Sequence, residues 1–297
     1  MSYEHRTVVH MTLTHETANH SEHELVVVSG ASTGIGAATA RQLASMGFHV
    51  LAGVRTSRDA DAIRAGGIEP IMLDITISQH IDDLAARIAA DPEKRPLRAL
   101  INNAGIEVNL PVEVLPLDLW RSQFEVNLFG HVAVIQALLP ILRKSRGRIV
   151  NISSVGGEVA LPNYGAYAGT KFAFEAASDA LRREVSAQGI QVVVVQVGGV
   201  KTVMADRSGP LSLELAEKMS PEHTRLYGDL ISSAVASQTA FLTRALSAEK
   251  AAIKIAKVAT TARPRPRYTL GMDAAWVIPL NRILPTRVMD RVLSPNR

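Results

Sequence analysis

The chain has 297 residues, of which 47% are hydrophobic and 20% are charged, and its mean hydropathy is +0.11. This balance excludes a disordered chain, which needs lower hydrophobicity and a higher charge density. The absence of cysteine excludes a disulfide-stapled secreted module and any thiolate metal site. The 32 basic and 28 acidic residues nearly balance, so the pI near 9.5 indicates a mildly basic surface rather than a nucleic-acid-binding protein.

The first 23 residues are polar and carry five of the nine histidines, namely His5, His10, His15, His20 and His23. A metal-binding tract and a flexible extension are the two interpretations. The spacing of five fits one helix face poorly and no carboxylate cluster accompanies it, which favours the extension and predicts no metal site. The N-terminus lacks the apolar core of a signal peptide, and no apolar run approaches the roughly 18 residues of a membrane span. A cytoplasmic protein without a transmembrane segment is therefore expected.

From residue 24 onward, short β-branched runs alternate with Ala-rich segments of helical periodicity. This alternation predicts βαβ units, with a parallel sheet between helices on both faces. The predicted strands are Leu25–Ser29, Val50–Val54, Pro70–Leu73, Leu100–Ile101, Arg148–Ile152, Gln191–Val197 and Tyr268–Leu270. The predicted helices include Ala37–Met46, Ile81–Ala89, Phe172–Val185 and Ala248–Thr260. No linker or repeat interrupts the pattern, so residues 24–297 are expected to form one domain.

The first strand runs directly into the sequence SGASTGIG, whose glycines Gly30, Gly34 and Gly36 open a helix. Glycine permits a tight turn and lets a pyrophosphate approach the backbone. The helix N-terminus there offers free N–H groups and the positive end of its dipole. After the first strand of a βαβ unit, this spacing predicts a dinucleotide site.

The end of the second strand bears on which dinucleotide binds. An acidic residue there would hold the adenosine ribose hydroxyls and favour NAD, but the strand ends at Gly53-Val54-Arg55. Arg55, with Ser32, can instead pair with a 2′-phosphate, which favours NADP(H) over NAD(H); the alternative is a solvated surface arginine. Asp74 follows the third strand and either accepts a bond from the adenine amino group or caps the next helix.

A serine, a tyrosine and a lysine form a second pattern. Ser154 follows the fifth strand, Tyr167 comes thirteen residues later, and Lys171 lies at i+4 on the same helix face. A nearby ammonium and a positive nicotinamide would stabilise the phenolate and lower the phenol pKa from about 10. Tyr167 can then exchange a proton with an alcohol or carbonyl oxygen that Ser154 positions. Tyr164 lacks such a partner, because Ala168 lies at i+4 from it.

These motifs resemble those of the short-chain dehydrogenase/reductase family, in its compact single-domain type. In chain order they are SGASTGIG at 29–36, Asp74, NNAG at 102–105, Asn127 within FEVNLFG, Ser154, and Tyr167 with Lys171, and they span residues 25–202. The resemblance implies a Rossmann-like three-layer α/β sandwich with a mainly parallel seven-stranded sheet. It also implies hydride transfer with a nicotinamide cofactor.

The resemblance implies a role for each matching residue. Tyr167 would be the acid/base, Ser154 would polarise the substrate oxygen, and Lys171 would bind the nicotinamide ribose and tune Tyr167. Asn127 would support a water relay behind Lys171. The cofactor would contact Gly30, Ser32, Thr33, Gly34, Ile35, Gly36, Arg55, Asp74, Ile75, Asn103, Ala104, Gly105, Tyr167, Lys171, Gly198, Val200 and Thr202, and the substrate would contact Ser154, Tyr167 and Met204.

One departure from the family pattern follows the sixth strand, where family members usually carry Pro-Gly. Here the sequence reads VGGVKT at 197–202, with Val197 in the proline position. Gly198 keeps the close approach to the nicotinamide, Val200 can still use its backbone, and Thr202 its hydroxyl. The loss of a proline loosens the loop slightly, and binding is expected to persist.

A finer resemblance, to the 17β-hydroxysteroid and retinol dehydrogenase branch, rests on LAGVR at 51–55, SSVGG at 153–157 and the tail motifs RPRYTLG and LPTRVMDRVL. It implies a lipophilic alcohol or carbonyl substrate. Residues 203–246 lie where the family places its substrate lid, and their apolar side chains either line a pocket or pack on the sheet. The family also implies a homodimer or homotetramer through the helices that carry Asn127 and Tyr167. Pro279 and Pro285 interrupt the C-terminal segment, which is expected to pack on protein rather than lie on a membrane.

Two other functions compete with an oxidoreductase. A nucleotide-binding sensor or scaffold without catalysis is expected to have lost at least one of Ser154, Tyr167, Lys171 or Asn127, and all four are present. A nucleic-acid binder needs a basic patch with aromatic stacking groups, but the basic residues are scattered among few aromatic ones. The sequence therefore favours an oxidoreductase that interconverts an alcohol and a ketone or aldehyde.

Overall fold

The structure, a computed structural model, describes residues 24–293, so the predicted N-terminal extension lies outside the described residues. The strands are β1 (Leu25–Val28), β2 (His49–Val54), β3 (Ile68–Met72), β4 (Leu97–Asn102), β5 (Arg148–Ser154), β6 (Gln191–Val197), β7 (Val200–Lys201), β8 (Leu246–Ser247) and β9 (Arg267–Leu270). The helices are α1 (Gly34–Ser45), α2 (Ser57–Ile63), α3 (Ser78–Ala89), α4 (Leu117–Phe124), α5 (His131–Ser145), α6 (Gly165–Val185), α7 (Val203–Ala216), α8 (Pro221–Thr243), α9 (Ala248–Thr260), α10 (Met272–Ile283) and α11 (Thr286–Leu293).

Seven strands form one sheet in the order β3-β2-β1-β4-β5-β6-β9, and every neighbouring pair is parallel. The Rossmann-like α/β prediction is thereby confirmed. The chain first builds outward from β1 to β3 and then returns to place β4 on the other side of β1. The crossovers beside β1 and β4 therefore leave the sheet in opposite directions, which opens a crevice at the carboxyl ends of these strands.

The strands are buried on both faces, as parallel strands covered by helices are. In β1, Val26 and Val28 pack in an apolar cluster with α1 and α9, whereas Leu25 and Val27 pack on the opposite face with α3 and α5. All four side chains are fully buried. This alternation of side chains places helices on both sides of the sheet and gives the predicted three layers.

The predicted elements are present, with shifted ends. β3 begins at Ile68 rather than Pro70, and Pro70 is tolerated because β3 lies at the sheet edge. β5 continues to Ser154, and α6 begins at Gly165 rather than at 172. These shifts matter for the site, because they put Ser154 at a strand end and include Tyr167 in the helix that carries the lysine.

A π-helical segment, Glu125–Gly130, joins α4 to α5. The resulting helix, Leu117–Ser145, is long and apolar enough by length and composition to cross a membrane, and it is the one such helix found within residues 24–293. This helix is an exception to the expectation that no apolar run approaches the roughly 18 residues of a membrane span. Its residues Val134, Leu138 and Leu142 are buried against the sheet, and core helices pass the same test of length and composition.

The predicted lid forms α7 and α8. Ile231 of α8 is buried together with Val108, Leu110 and Leu115 of the loop that follows β4. The lid therefore packs on this loop rather than on the sheet, and other lid residues line the cavity described below.

The C-terminal segment forms two helices, α10 and α11, separated at Pro285. Ala274, Ile278 and Met289 are buried, in keeping with the expected packing on protein. The side chains of Trp276 and Ile283 are exposed, so this packing covers only one side of α10.

Candidate active site

The glycine loop between β1 and α1 has the geometry that the sequence predicts. Gly30 and Gly34 have φ angles of +64° and +57°, in the left-handed region that favours glycine. A Cβ on Gly30 would lie 2.7 Å from Cα of Ala104, in the loop after β4. Thr33 precedes α1 without a side-chain cap hydrogen bond, so the N–H groups of the first turn lack the usual Ser, Thr or Asp side-chain partner. An anionic phosphate is a suitable partner for them.

Gly36 supports this loop from behind. A Cβ there would lie 2.2 Å from the Gly30 carbonyl oxygen and 2.5 Å from Nδ2 of Asn103. That Nδ2 donates to the carbonyls of Ser29 and Gly30, at 3.0 Å each. Oγ of Ser29 in turn accepts from the backbone N–H groups of Asn103 and Ala104. The Ser29 contribution was not predicted from the sequence, which assigned roles only to the glycines of this motif.

A cavity of about 910 Å³ extends from the glycine loop to α6 and the lid. Among the predicted residues, only Gly36 and Asn127 do not line it. Those that do are Gly30, Ser32, Thr33, Gly34, Ile35, Arg55, Asp74, Ile75, Asn103, Ala104, Gly105, Ser154, Tyr167, Lys171, Gly198, Val200, Thr202 and Met204. Residues that are far apart in sequence are thus brought to one crevice.

One end of the cavity is charged. Arg55 is exposed at the end of β2 and lines the cavity with Ser32. Oδ1 of Asp74 accepts hydrogen bonds from the backbone N–H and the hydroxyl of Thr76, at 3.0 and 2.7 Å. Burial raises the pKa of Asp74, but these bonds and the charge of Arg55 outweigh it, and the net pKa is lowered. α3 begins after Ile77, so the alternative that Asp74 caps this helix is wrong.

The predicted catalytic side chains meet at the other end. Ser154 ends β5, while Tyr167 and Lys171 lie on α6, which packs beside β5. Oγ of Ser154 accepts from the backbone N–H of Gly156 at 3.1 Å, and the serine lines the cavity with Tyr167, near enough to lower the pKa of its phenol. Nζ of Lys171 donates to the carbonyl of Ile152 at 3.0 Å and lies 5.8 Å from the centre of the Tyr167 ring.

Burial dominates the electrostatics of this end in the protein without a cofactor. Burial raises the pKa of Tyr167, the charge of Glu107 raises it further, and Ser154 opposes both. Burial lowers the pKa of Lys171 to about 8, against the opposing charges of Glu175 and Glu107. In the protein without a cofactor, desolvation of the phenolate therefore dominates, and the lowering expected from Lys171 together with a positive nicotinamide stays a prediction.

Asn127 lies behind the cavity, fully buried on the π-helical segment. Its Oδ1 accepts from the backbone N–H of Ile106 and its Nδ2 donates to the Ile106 carbonyl, both at 2.9 Å. Nδ2 also donates to Oγ1 of Thr170 at 3.2 Å. The side-chain amide therefore joins the loop after β4 to α6, a positioning role that the sequence did not indicate.

Two further groups were missed by the sequence analysis. His131, one turn after Asn127, is fully buried and stacks on Phe174 with ring centres 4.9 Å apart. Burial lowers its pKa to about 3, and because the ring is neutral, Nε2 carries the proton that bonds the Ala104 carbonyl at 2.8 Å. Glu107 is half-buried and lines the cavity, and desolvation raises the pKa of its carboxyl group. His131 lies four residues after Asn127, and this spacing could have indicated it. No local sequence pattern indicates Glu107.

The loop after β6 and the lid close the cavity. The backbone N–H of Gly198 donates to the Leu270 carbonyl of β9 at 2.7 Å, so a backbone bond holds the loop directly after Val197, the residue in the proline position. Oγ1 of Thr202 accepts from the backbone N–H of Ala205 and caps α7. A Cβ on Gly199 would lie 2.1 Å from the ring of Phe241, which shows how closely α8 covers this loop.

The sequence of this chain is similar to those of known proteins. The model of the short chain dehydrogenase family matches residues 24–210. The chain is 35% identical over 266 residues to a 3-amino-tetrahydro-pyrrolizinone reductase from Xenorhabdus hominickii, covering 89% of this chain and 93% of that protein. It is 31% identical over 296 residues to human retinol dehydrogenase 16, covering 96% of this chain and 92% of that protein.

A solved structure of a short-chain dehydrogenase is also similar to this chain. The short-chain dehydrogenase from Streptomyces avermitilis has a TM-score of 0.70 and 27% sequence identity, covering 91% of this chain and 93% of that one. The glycine loop, the sheet order and the Ser154, Tyr167 and Lys171 cluster therefore occur in a chain that matches the family along most of its length. The chain belongs to the short-chain dehydrogenase/reductase family of NAD(P)-dependent oxidoreductases, and within it resembles the retinol dehydrogenase branch.

Proposed function

We propose that this protein interconverts an alcohol and a ketone or aldehyde with NADP(H), and that Tyr167 is its acid/base. The observation that carries the proposal is that Ser154, Tyr167 and Lys171 line the same cavity as the glycine loop. A nicotinamide dinucleotide fits the residues there, because the left-handed glycines and the uncapped start of α1 can accommodate a pyrophosphate. The alternative of a non-catalytic sensor has no observation in its favour.

Each of the chain's own groups has a distinct task in this proposal. When bound, the cofactor supplies or accepts the hydride at the substrate carbon. Ser154 hydrogen-bonds the substrate oxygen, and Tyr167 gives that oxygen a proton in the direction of reduction. Lys171 holds the nicotinamide ribose, and the hydrogen bond from its ammonium to the Ile152 carbonyl already orients the side chain. Asn127 acts indirectly, by holding the loop at Ile106 and by supporting a water relay behind Lys171.

The pKa of Tyr167 bears on the direction of reaction. A buried phenol with a raised pKa is fully protonated at neutral pH, so it is a ready acid and a poor base. Reduction of a carbonyl uses the acid, and oxidation of an alcohol uses the base. In the protein without a cofactor, the phenol is therefore in the protonated form that reduction of a carbonyl uses.

The preference for NADP(H) rests on Arg55. No acidic residue occupies the end of β2, and the exposed Arg55 guanidinium lines the cavity beside Ser32. A guanidinium that pairs with a phosphate gives charge-assisted hydrogen bonds of about 1.5–3 kcal/mol, or at least about tenfold in affinity.

The first test titrates the protein with NADPH and NADH, followed by nicotinamide fluorescence. We expect tighter binding of NADPH, and a loss of about tenfold or more for NADPH alone in Arg55→Ala. Arg58→Ala is the matched control, because Arg58 is exposed one turn away and does not line the cavity. Tighter binding of NADH by the wild type would refute the cofactor preference, and binding of neither would refute the proposed function.

A lipophilic substrate is supported by the cavity wall. The side chains that face it near the lid include those of Val155, Val159, Leu161, Phe241 and Leu242. The two named relatives act, by their names, on a bicyclic pyrrolizinone and on retinol. A set of ketones of equal size and decreasing polarity tests this point. Rising kcat/KM with apolar area is expected, and turnover of small polar carbonyls alone would contradict it.

We also propose that the protein is a cytoplasmic homodimer or homotetramer, joined through the helices of Asn127 and Tyr167. This is supported by exposed apolar side chains on those helices, including Phe129 and Phe172 at 54% and 44% exposure. The molar mass in solution, measured by light scattering, tests the assembly, and a monomer at micromolar concentration would contradict it.

A further inference from the structure

Glu107 is an ionisable residue of the cavity that the proposed chemistry does not use. It lies in the loop after β4 and lines the cavity together with Tyr164 and Tyr167. Nδ2 of Asn109 donates to its Oε1 at 2.6 Å, and Ser208 of α7 lies near enough to lower the pKa of Glu107. The carboxyl group thus lies between the loop and the lid, beside the reacting end of the cavity.

This carboxyl group lacks a counter-charge. Within residues 24–293, no Lys, Arg or His nitrogen lies within 4.0 Å of its oxygens. The charge of Lys171 reaches it, but that ammonium donates its hydrogen bond to Ile152. A buried carboxylate without a paired cation is costly, and burial accordingly raises the pKa of Glu107.

The contacts of Glu107 leave room for a ligand. A carboxylate offers acceptor sites for about four hydrogen bonds, and among the described residues Asn109 is the donor identified for Glu107. Glu107 lines the same cavity as Tyr164 and Tyr167, and its negative charge raises the pKa of both tyrosines. A glutamine could accept the Asn109 bond without this charge, so that contact does not by itself require a carboxylate.

We propose that Glu107 is a substrate-binding residue that selects carbonyl or alcohol substrates carrying a protonated amino group. This inference rests on the proposed function, because it assigns a substrate class to the same cavity. The ammonium would donate to the Glu107 carboxylate while the carbonyl oxygen lies at Ser154 and Tyr167. The apolar wall toward the lid would hold the hydrocarbon part of such a molecule.

The test uses two ketones of the same shape that differ in charge, 1-benzyl-4-piperidone and 4-benzylcyclohexanone, at a pH where the amine is protonated. Binding to the NADP⁺-loaded protein is measured by calorimetry, and reduction by NADPH oxidation. The wild type should favour the amine, and Glu107→Gln should lower the ratio of amine to neutral affinity at least about tenfold. Glu217→Gln is the matched control, because Glu217 is exposed at the end of α7 and does not line the cavity.

The two proposals fail in different ways. If both ketones are reduced but the wild type has no preference for the amine, or Glu107→Gln weakens both alike, Glu107 only connects loop and lid and this inference is overturned. If neither ketone is reduced but the amine still binds tenfold more tightly to the wild type than to Glu107→Gln, the substrate site stands and the enzymatic proposal fails. Should Glu107→Gln not fold, the preference of the wild type alone decides.

Discussion

Replacement of Gly36 by alanine should displace the cofactor loop, although Gly36 itself does not line the cavity. The added Cβ would lie 2.2 Å from the Gly30 carbonyl oxygen and 2.5 Å from Nδ2 of Asn103. Overpacking of this kind costs about 1–3 kcal/mol, and each of the two hydrogen bonds that Asn103 would lose adds about 1 kcal/mol. The free energy of unfolding should therefore fall by roughly 3–5 kcal/mol, which lowers Tm by roughly 10 °C.

The assay is thermal unfolding with and without NADPH, together with the fluorescence titration. Gly36→Ala should also lose at least about tenfold in NADPH affinity, because the loop carbonyls and Gly30 must move. Gly66→Ala is the matched control, since a Cβ there meets no atom within 4 Å. Gly228→Ala, in the lid helix, should raise stability by up to about 1 kcal/mol. Wild-type Tm and wild-type NADPH affinity in Gly36→Ala would refute the account of this loop.

Two further predictions concern side chains that stabilise the fold. Hydrogen bonds from Arg95 and Arg87 hold the pKa of Asp91 well below its usual range, so its carboxylate stabilises the fold above an unfolded pKa of about 4 and loses this effect as the pH falls. Urea unfolding should show that Asp91→Asn lowers the free energy of unfolding by roughly 2–3 kcal/mol at neutral pH. This difference from the wild type should shrink between about pH 5 and pH 3, and a difference that does not depend on pH would contradict the assignment. Asn127→Leu should cost about 2–4 kcal/mol, because it leaves both backbone groups of Ile106 unpaired, and an unchanged Tm would contradict this role.

The sheet and the cavity could be predicted because their signals are local. A run such as Val192–Val195 is typical of a strand buried on both faces. The sequence SGASTGIG indicates a tight turn between a strand and a helix. The i and i+4 spacing of Tyr167 and Lys171 needed only a helix, which the structure supplies by starting α6 at Gly165. In each case, a few adjacent residues carry the whole pattern.

What could not be predicted depends on contacts between distant segments. The π-helical turn at Asn127 has no local sequence signal, and its bonds to Ile106 appear only when β4 and α5 are side by side. Glu107 is an ordinary loop residue in sequence, and the desolvation that raises its pKa depends on how the chain folds around it. The raised pKa of Tyr167 in the protein without a cofactor could not be predicted for the same reason, since desolvation is a property of the folded site.

The most direct test of the central claim compares the wild type with Tyr167→Phe, which removes only the phenolic oxygen. NADPH binding and carbonyl reduction are measured on the same preparations. The account predicts NADPH affinity within about twofold of the wild type and a loss of at least about 100-fold in kcat, since proton transfer contributes about 10²–10⁴-fold. Reduction at the wild-type rate by Tyr167→Phe would contradict the assignment of Tyr167 as the acid/base.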